Sequence, residues 1–130
     1  TNIYKDDNDA QHIQDFKSIQ EITKKIDRRL KQSGATSGFE KLYTKLVREY
    51  FGGMYLVFQN AHKVLRTGGK FSLLVSDSHA FKMVHIRSAH ILAELAEDVG
   101  YKKHSIELWQ DKVSTSHKYN IQENILTLEK

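Results

Sequence analysis

Apolar residues recur at helical spacing in the first part of the chain. In residues 10–32 they fall every three or four positions, which is typical of one face of an amphipathic helix. Asp9 is a suitable N-cap for this helix and Gly34 a suitable stop. Ser37 and Glu40 then have the spacing of a capping box, which predicts the start of a second helix. The apolar stripe of the first helix consists of Ile13, Phe16, Ile19, Ile22, Ile26 and Leu30.

A second apolar stripe keeps helical phase over residues 39–65 and predicts one long helix. The stripe runs through Gly52 and Gly53, two adjacent glycines that cost about 2 kcal/mol of helix propensity relative to alanine. We interpret the segment as one helix, and a close approach of its backbone to a neighbouring strand or a ligand would explain the two glycines. A break between two helices is the alternative. Thr67-Gly68-Gly69 ends the helical pattern.

A short, nearly continuous apolar run at residues 71–75 predicts a strand that is covered on both faces. A helix is predicted for residues 88–99, with Gly100 as its C-cap. Strands are predicted for residues 101–109 and 123–130, with a polar loop at 110–120. Because no helix separates these two strands, we expect them to be antiparallel neighbours.

Composition narrows the class of protein. The 130 residues suit one domain, and 39% hydrophobic and 28% charged residues are ordinary for a globular chain. No apolar run is long enough to span a membrane, and the polar N-terminus is unlike a signal peptide, so we expect a cytoplasmic protein. The absence of cysteine excludes disulfides and thiol chemistry. The first methionine is Met54, so we expect the chain to be part of a longer protein.

Two groups of polar residues are candidates for binding. Asp77 and Ser78 follow the predicted strand 71–75, and ligands of open α/β sheets bind beyond the carboxyl ends of strands. They equally suit a turn or a cap. Lys24, Arg28 and Lys31 lie opposite the apolar stripe of the first helix. They form either a phosphate-facing patch or a solvated face near a helix C-terminus, where cations are favoured. The net charge of +4 permits nucleic-acid contact without requiring it.

The sequence lacks the motifs for nucleotide binding, metal binding and a serine nucleophile. No glycine-rich loop of the dinucleotide or P-loop type is present, because Gly68-Gly69 leads from a helix into a strand. His79, His85 and His90 are not spaced as ligands one helical turn apart, so we predict no metal site. No G-x-S-x-G nucleophile motif occurs.

Taken in order, these elements resemble the C-terminal half of a class I S-adenosylmethionine-dependent methyltransferase, most closely the DNA methyltransferases that modify exocyclic amino groups. The resemblance implies an α/β fold: a partial Rossmann-like sheet of the last three strands with a terminal antiparallel hairpin, preceded by helices. It implies that residues 38–130 form this half domain and that residues 1–37 are a helical insertion. The matching residues are Tyr50, Met54, Val64-Leu65-Arg66-Thr67-Gly68-Gly69-Lys70, Leu74-Val75-Ser76-Asp77-Ser78, Val99-Gly100-Tyr101, Glu123-Asn124-Ile125-Leu126 and Lys130.

The resemblance also implies a function. Such enzymes transfer a methyl group from S-adenosylmethionine to adenine or cytosine in DNA, as in restriction–modification. Their catalytic tetrapeptide is Asp/Asn/Ser-Pro-Pro-aromatic, and this chain contains no proline. Their glycine-rich cofactor loop is missing as well. We therefore assign no catalytic residue, expect both motifs upstream of Thr1, and expect this chain alone to be inactive.

The partners implied are DNA for the longer protein and, for the isolated chain, a second copy bound at a bare strand edge. Two alternatives stay open: a class I methyltransferase that acts on RNA or a small molecule, and a non-enzymatic α/β interaction module.

Overall fold

The computed structural model describes residues 6–115 and 118–130. The first half of the chain is helical. A short 3-10 helix, Asp9–Ile13, precedes α1 (Lys17–Gln32), and a 3-10 turn, Glu40–Leu42, leads into α2 (Tyr43–Val64). No helix in the described ranges is long and apolar enough to cross a membrane.

The single helix predicted for residues 10–32 is divided, and this prediction was wrong at its start. The chain breaks between the 3-10 helix and α1, and the extended Phe16, not Asp9, is the N-cap of α1. Tertiary contacts explain the break. The Ala10 amide donates a hydrogen bond to the Glu49 carboxylate of α2 at 3.2 Å. Anchoring of the 3-10 helix on α2 therefore prevails over continuous helical periodicity.

The prediction of one helix through Gly52 and Gly53 is confirmed, since both lie inside α2. A close approach occurs at Gly52, but its partner is the 3-10 helix Asp9–Ile13 and not the neighbouring strand or ligand that we expected. A Cβ atom at Gly52 would lie 2.1 Å from the carbonyl oxygen of Asp9. At Gly53 the nearest atom is a carboxylate oxygen of the Asp9 side chain, at 3.5 Å. Gly52 is thus the position where the backbone of the 3-10 helix meets α2.

The capping box predicted at Ser37 and Glu40 does not form. The 3-10 turn has Phe39 as its N-cap and no side-chain capping bond. The Glu40 carboxylate instead forms an ion pair with Lys82, far along the chain. A long-range charge partner therefore replaces the local capping interaction.

The second half forms β1 (Lys70–Ser76), α3 (Ser88–Val99), β2 (Lys103–Val113) and β3 (Asn120–Glu129). The sheet order is β1-β3-β2, and β3 is antiparallel to both neighbours. The predicted terminal hairpin and the mixed α/β class are confirmed. The hairpin is longer than predicted, because pairs from Gln110↔Glu123 to Val113↔Asn120 extend into the expected loop. The rest of that loop includes residues 116 and 117, which lie outside the described residues.

Helices α2 and α3 cover one face of the sheet. Leu126 and Leu128 of β3 are fully buried in one core with Phe58 of α2 and Leu92 of α3. Along β1, more exposed and less exposed residues alternate, and Leu74 is 62% exposed. The prediction that this strand is covered on both faces was therefore wrong for the described residues. A continuous apolar run does not by itself show that a second layer is present.

Lys130 and Tyr101 join α2 to the second half of the chain. The Lys130 ammonium donates hydrogen bonds to the carbonyl oxygens of His62 and Leu65, at 2.6 and 3.0 Å. The buried Tyr101 hydroxyl donates to the Phe58 carbonyl at 2.9 Å. Lys130 thus satisfies carbonyls that the end of a helix leaves without partners.

Candidate functional site

The candidate site begins where β1 ends. The Asp77 amide donates to the Gln122 carbonyl at 2.9 Å, which continues the β1–β3 pairing by one residue. Ser78 and Ile86 then exchange two backbone hydrogen bonds, of 3.0 and 2.7 Å. These bonds close residues 79–85 into a loop, and we call residues 77–87 the strand-end loop.

Asp77 is the buried carboxylate of this loop. Its side chain is 4% exposed, and Oδ2 lies 2.9 Å from Nε2 of His85. The other oxygen, Oδ1, is buried and has no hydrogen-bond partner within the described residues. Burial of a polar atom without a partner is costly, so such an atom often marks a functional site. Ser78 plays a local part, since its hydroxyl accepts the Ala80 amide at 3.2 Å.

The side-chain rings of His79, His85 and Tyr119 lie together beside Asp77. The His79 and His85 rings are nearly parallel, 7° apart, with centroids separated by 4.3 Å. The Tyr119 ring, which precedes β3, lies 4.4 Å from His79. Burial, and then the neighbouring His85, lower the pKa of His79, while Asp77 acts in the opposite direction. His79 is therefore held toward its neutral form.

A cleft of about 520 Å³ opens beside these rings. Its aromatic walls are Tyr43 at the start of α2, His79 and Tyr119. Its charged end is the Glu40–Lys82 ion pair. A smaller, mainly apolar cavity of about 260 Å³ lies between α2 and the strand-end loop. That cavity is lined by Leu46, Val47, Tyr50, Phe51, Ser76, Ser78, Phe81, Ile86 and Ser88.

Backbone strain is concentrated at the cleft. Lys82, Met83 and Lys118 are the non-glycine residues with positive φ in the described ranges, at 53°, 60° and 52°. Lys82 and Met83 line the cleft, and Lys118 directly precedes Tyr119. A left-handed conformation costs a residue with a side chain about 1–2 kcal/mol. Strained residues of this kind cluster at binding and catalytic sites.

The predicted basic face lies apart from the cleft. Lys24, Arg28 and Lys31 are exposed on α1, and none of them lines the cleft. Their neighbour Arg29 reaches it instead, donating a hydrogen bond to the Lys82 carbonyl at 2.8 Å. The helix that carries the basic face is therefore tied to the cleft rim.

The sequence predicted Asp77 and Ser78 at the end of β1, where the structure has them. It did not indicate the aromatic walls of the cleft. His79 and His85 drew attention only as metal ligands. No group of three His, Asp or Glu side chains that could hold a metal occurs in residues 6–115 and 118–130. Tyr119 was detectable as the one aromatic residue in the polar stretch 110–120. Nothing in the sequence connected Tyr119 with Tyr43.

Comparison of the chain with family models, with curated proteins and with solved structures gives no match.

Proposed function

We propose that this chain is the C-terminal part of an S-adenosylmethionine-dependent methyltransferase that acts on the exocyclic amino group of adenine or cytosine in DNA. The observation that carries this proposal is the aromatic cleft beyond the end of β1. Enzymes that modify a base flip that base out of the DNA duplex and hold it between aromatic side chains. Tyr43, His79 and Tyr119 offer such surfaces. A volume of about 520 Å³ is in the range of small-molecule sites.

The position of the cleft supports the proposal. In open α/β sheets ligands bind outside the carboxyl ends of strands, and the cleft adjoins the carboxyl end of β1. The order of elements supports it too: a long helix, a Gly-Gly turn, a strand, a helical connection and a terminal hairpin. Glu40 and Lys82 supply an acceptor and a donor at the charged end of the cleft, as recognition of a base edge requires.

The described residues do not fit the cofactor. S-adenosylmethionine supplies the methyl group in such reactions, and its loop in the resembling family is glycine-rich and follows a strand. No glycine lies between β1 and α3. We assign no cofactor-binding residue in this chain, and we propose that another part of a longer protein provides the loop and the catalytic tetrapeptide.

DNA contact is proposed for the basic face of α1. Lys24, Arg28 and Lys31 are exposed, and Arg29 links their helix to the cleft rim. A duplex with one base in the cleft would bring its phosphates near this region. We propose that the longer protein acts on DNA in the cytoplasm.

The test uses a longer protein that contains this chain and measures transfer of labelled methyl groups to duplex DNA. We expect Tyr119→Ala to lower kcat/KM about tenfold or more, because a stacked base contributes about 1–3 kcal/mol. Trp109→Ala is the control, since Trp109 is 60% exposed on β2 and does not line the cleft. Equal activity of the two variants would contradict the role of the cleft.

The choice of acceptor separates the alternatives. Methylation of RNA or of a small molecule, but not of DNA, would favour a class I methyltransferase with that kind of substrate. No methyl transfer to any of these acceptors would favour a non-enzymatic interaction module. For DNA, neutralising Lys24, Arg28 and Lys31 together should flatten the salt dependence of binding. The slope of the logarithm of the DNA-binding constant against the logarithm of salt concentration becomes shallower by about 0.9 for each phosphate that the protein no longer neutralises.

A further inference from the structure

The rings of His79 and His85 form a parallel stack beside the cleft. Their planes differ by 7°, and their centroids are 4.3 Å apart. His79 also meets the ring of Tyr119, at a centroid distance of 4.4 Å. His79 and Tyr119 both line the cleft, so a movement of His79 changes the cleft wall.

The stack contains two titratable rings beside one buried carboxylate. Oδ2 of Asp77 lies 2.9 Å from Nε2 of His85, and this contact is an ion pair when His85 is protonated. Nδ1 of His79, in contrast, is buried and has no hydrogen-bond partner among the described residues. Since Asp77 already pairs with His85, a positive charge on His79 faces the positive ring of His85 across 4.3 Å.

We propose that His79 and His85 form a pH-sensitive switch in the cleft wall: when both rings are protonated they repel each other, and His79 leaves the stack and its contact with Tyr119. Like charges repel more strongly in a partly buried site than in water, because the local dielectric is lower. At neutral pH the stack persists, since burial, and then His85, lower the pKa of His79 and keep its ring uncharged. The switch acts on the wall whatever ligand the cleft binds.

The loop that carries both rings has fixed ends and a strained middle. Ser78 and Ile86 exchange two backbone hydrogen bonds, which hold the ends of residues 79–85 together. Between the rings, Lys82 and Met83 have positive φ angles of 53° and 60°. Such conformations persist only where surrounding contacts hold them. The ring stack is one such contact, so its loss lets the loop change shape while its ends stay paired.

The other charged and titratable groups at this wall do not compensate for a second positive charge. Glu40, on the 3-10 turn before α2, already pairs with Lys82. Tyr43 of α2 and Tyr119 line the cleft with aromatic rings. Lys118, next to Tyr119, is exposed and carries a positive charge itself. Among the described residues that line the cleft, no free carboxylate is left to pair with the second ring.

The first test follows the ring contacts of this chain by NMR while the pH is lowered from about 7.5 to 5, the range in which histidine titrates. At the upper end, nuclear Overhauser effects should join the ring protons of His79 to those of His85 and Tyr119. We expect these effects to disappear as the ring of His79 becomes protonated, below pH 6.5. Contacts that persist when His79 is charged would overturn the switch. Loss of the β3 amide signals at the same pH would overturn it too, because the change would then be global unfolding.

The second test removes one of the two charges. The amide of His85→Gln can still donate a hydrogen bond to Asp77 but stays neutral in acid. In this variant we expect His79 to titrate at a higher pH than in the wild-type chain, and to keep its contact with Tyr119 after it becomes charged. If the contact is lost in step with protonation of His79, as in the wild type, repulsion between the rings is not the cause and the switch is wrong.

His90→Gln is the matched control, because His90 is exposed on α3 and bonded to Arg87. It should lose the contact between His79 and Tyr119 at the same pH as the wild-type chain. A His90→Gln chain that keeps this contact in acid would show that charge elsewhere drives the change, which contradicts the switch. If His85→Gln does not fold, the wild-type titration still decides the outcome.

Discussion

At Gly52 the backbone of the 3-10 helix Asp9–Ile13 passes so close to α2 that no side chain fits between them. A Cβ atom there would lie 2.1 Å from the carbonyl oxygen of Asp9, a backbone atom that cannot turn aside as a flexible side chain does. The neighbouring Gly53 meets only the end of the Asp9 side chain, at 3.5 Å. The two glycines therefore have different roles although they are adjacent.

We expect Gly52→Ala to lower the free energy of unfolding by about 2 kcal/mol or more, because overpacking of a close contact costs about 1–3 kcal/mol. Gly53→Ala is the matched control. It should be neutral or stabilise by up to about 1 kcal/mol, since alanine favours a helix interior. Urea denaturation measures both. Similar stability of the two variants would contradict the close approach.

The residues of the site differ in how far sequence could predict them. Asp77 follows directly from the strand, so its place at the end of β1 was predictable. The pairing of Asp77 with His85 was not, because it depends on how the loop folds back. Tyr43 and Tyr119 belong to distant parts of the chain, and only the tertiary structure brings them to one cleft.

Among the elements, the end of α2 depends on a residue from the other end of the described chain. Lys130 donates to the His62 and Leu65 carbonyls, whereas Lys63, within the last turn of α2, is exposed. The structure thus uses a long-range cation to satisfy the helix end.

Lys130→Met should lower the free energy of unfolding by about 1.5 kcal/mol, as expected when hydrogen bonds to a charged group are removed. Lys63→Met should change it by less than about 0.5 kcal/mol, as is usual for surface substitutions. Thermal unfolding of both variants, at one protein concentration, is the measurement. A larger loss of stability for Lys63→Met would show that the helix end is held differently.

The edge strand β1 predicts association of the isolated chain. β3 is its pairing partner, and no other described strand pairs with its second edge. Unpaired backbone groups on an exposed edge attract a further strand. We expect sedimentation velocity to show a concentration-dependent oligomer.

Leu74→Lys should weaken this association, since a charge on an edge strand opposes strand addition. Val64→Lys, at an 84% exposed position on α2, should not. A chain that stays monomeric at all concentrations would contradict the prediction.

Elements with strong periodicity were predictable, and those decided by neighbours were not. The stripes of α2 and α3 predicted helices that the structure contains, because each buries one continuous face. The break before α1 comes from the bond between Ala10 and Glu49. The exposed face of β1 carries Leu74, and an apolar side chain there made the strand resemble one that is covered on both sides.

For the whole molecule, the lowered pKa of His79 connects stability to pH. A group with a lowered pKa in the folded state binds fewer protons there than in the unfolded chain, so it stabilises the fold above its unfolded pKa of 6.5. This contribution is lost as pH falls below 6.5 through the folded pKa. The urea midpoint should therefore decrease as the pH is lowered from about 7.5 to 5, and it should decrease less steeply in His79→Gln. An unchanged slope in His79→Gln, matching that of His90→Gln, would contradict the shift.

The position of β3 has a consequence for the order of folding. β1 and β2 are joined through α3, yet they do not pair, and β3 lies between them. No two strands of the sheet can pair until the last element of the chain is in place. Pairing of β1 with β3 therefore depends on contacts of long sequence separation, which slow folding, whereas the β2–β3 hairpin is local. We therefore expect the β2–β3 hairpin to form first and β1 to join the sheet late.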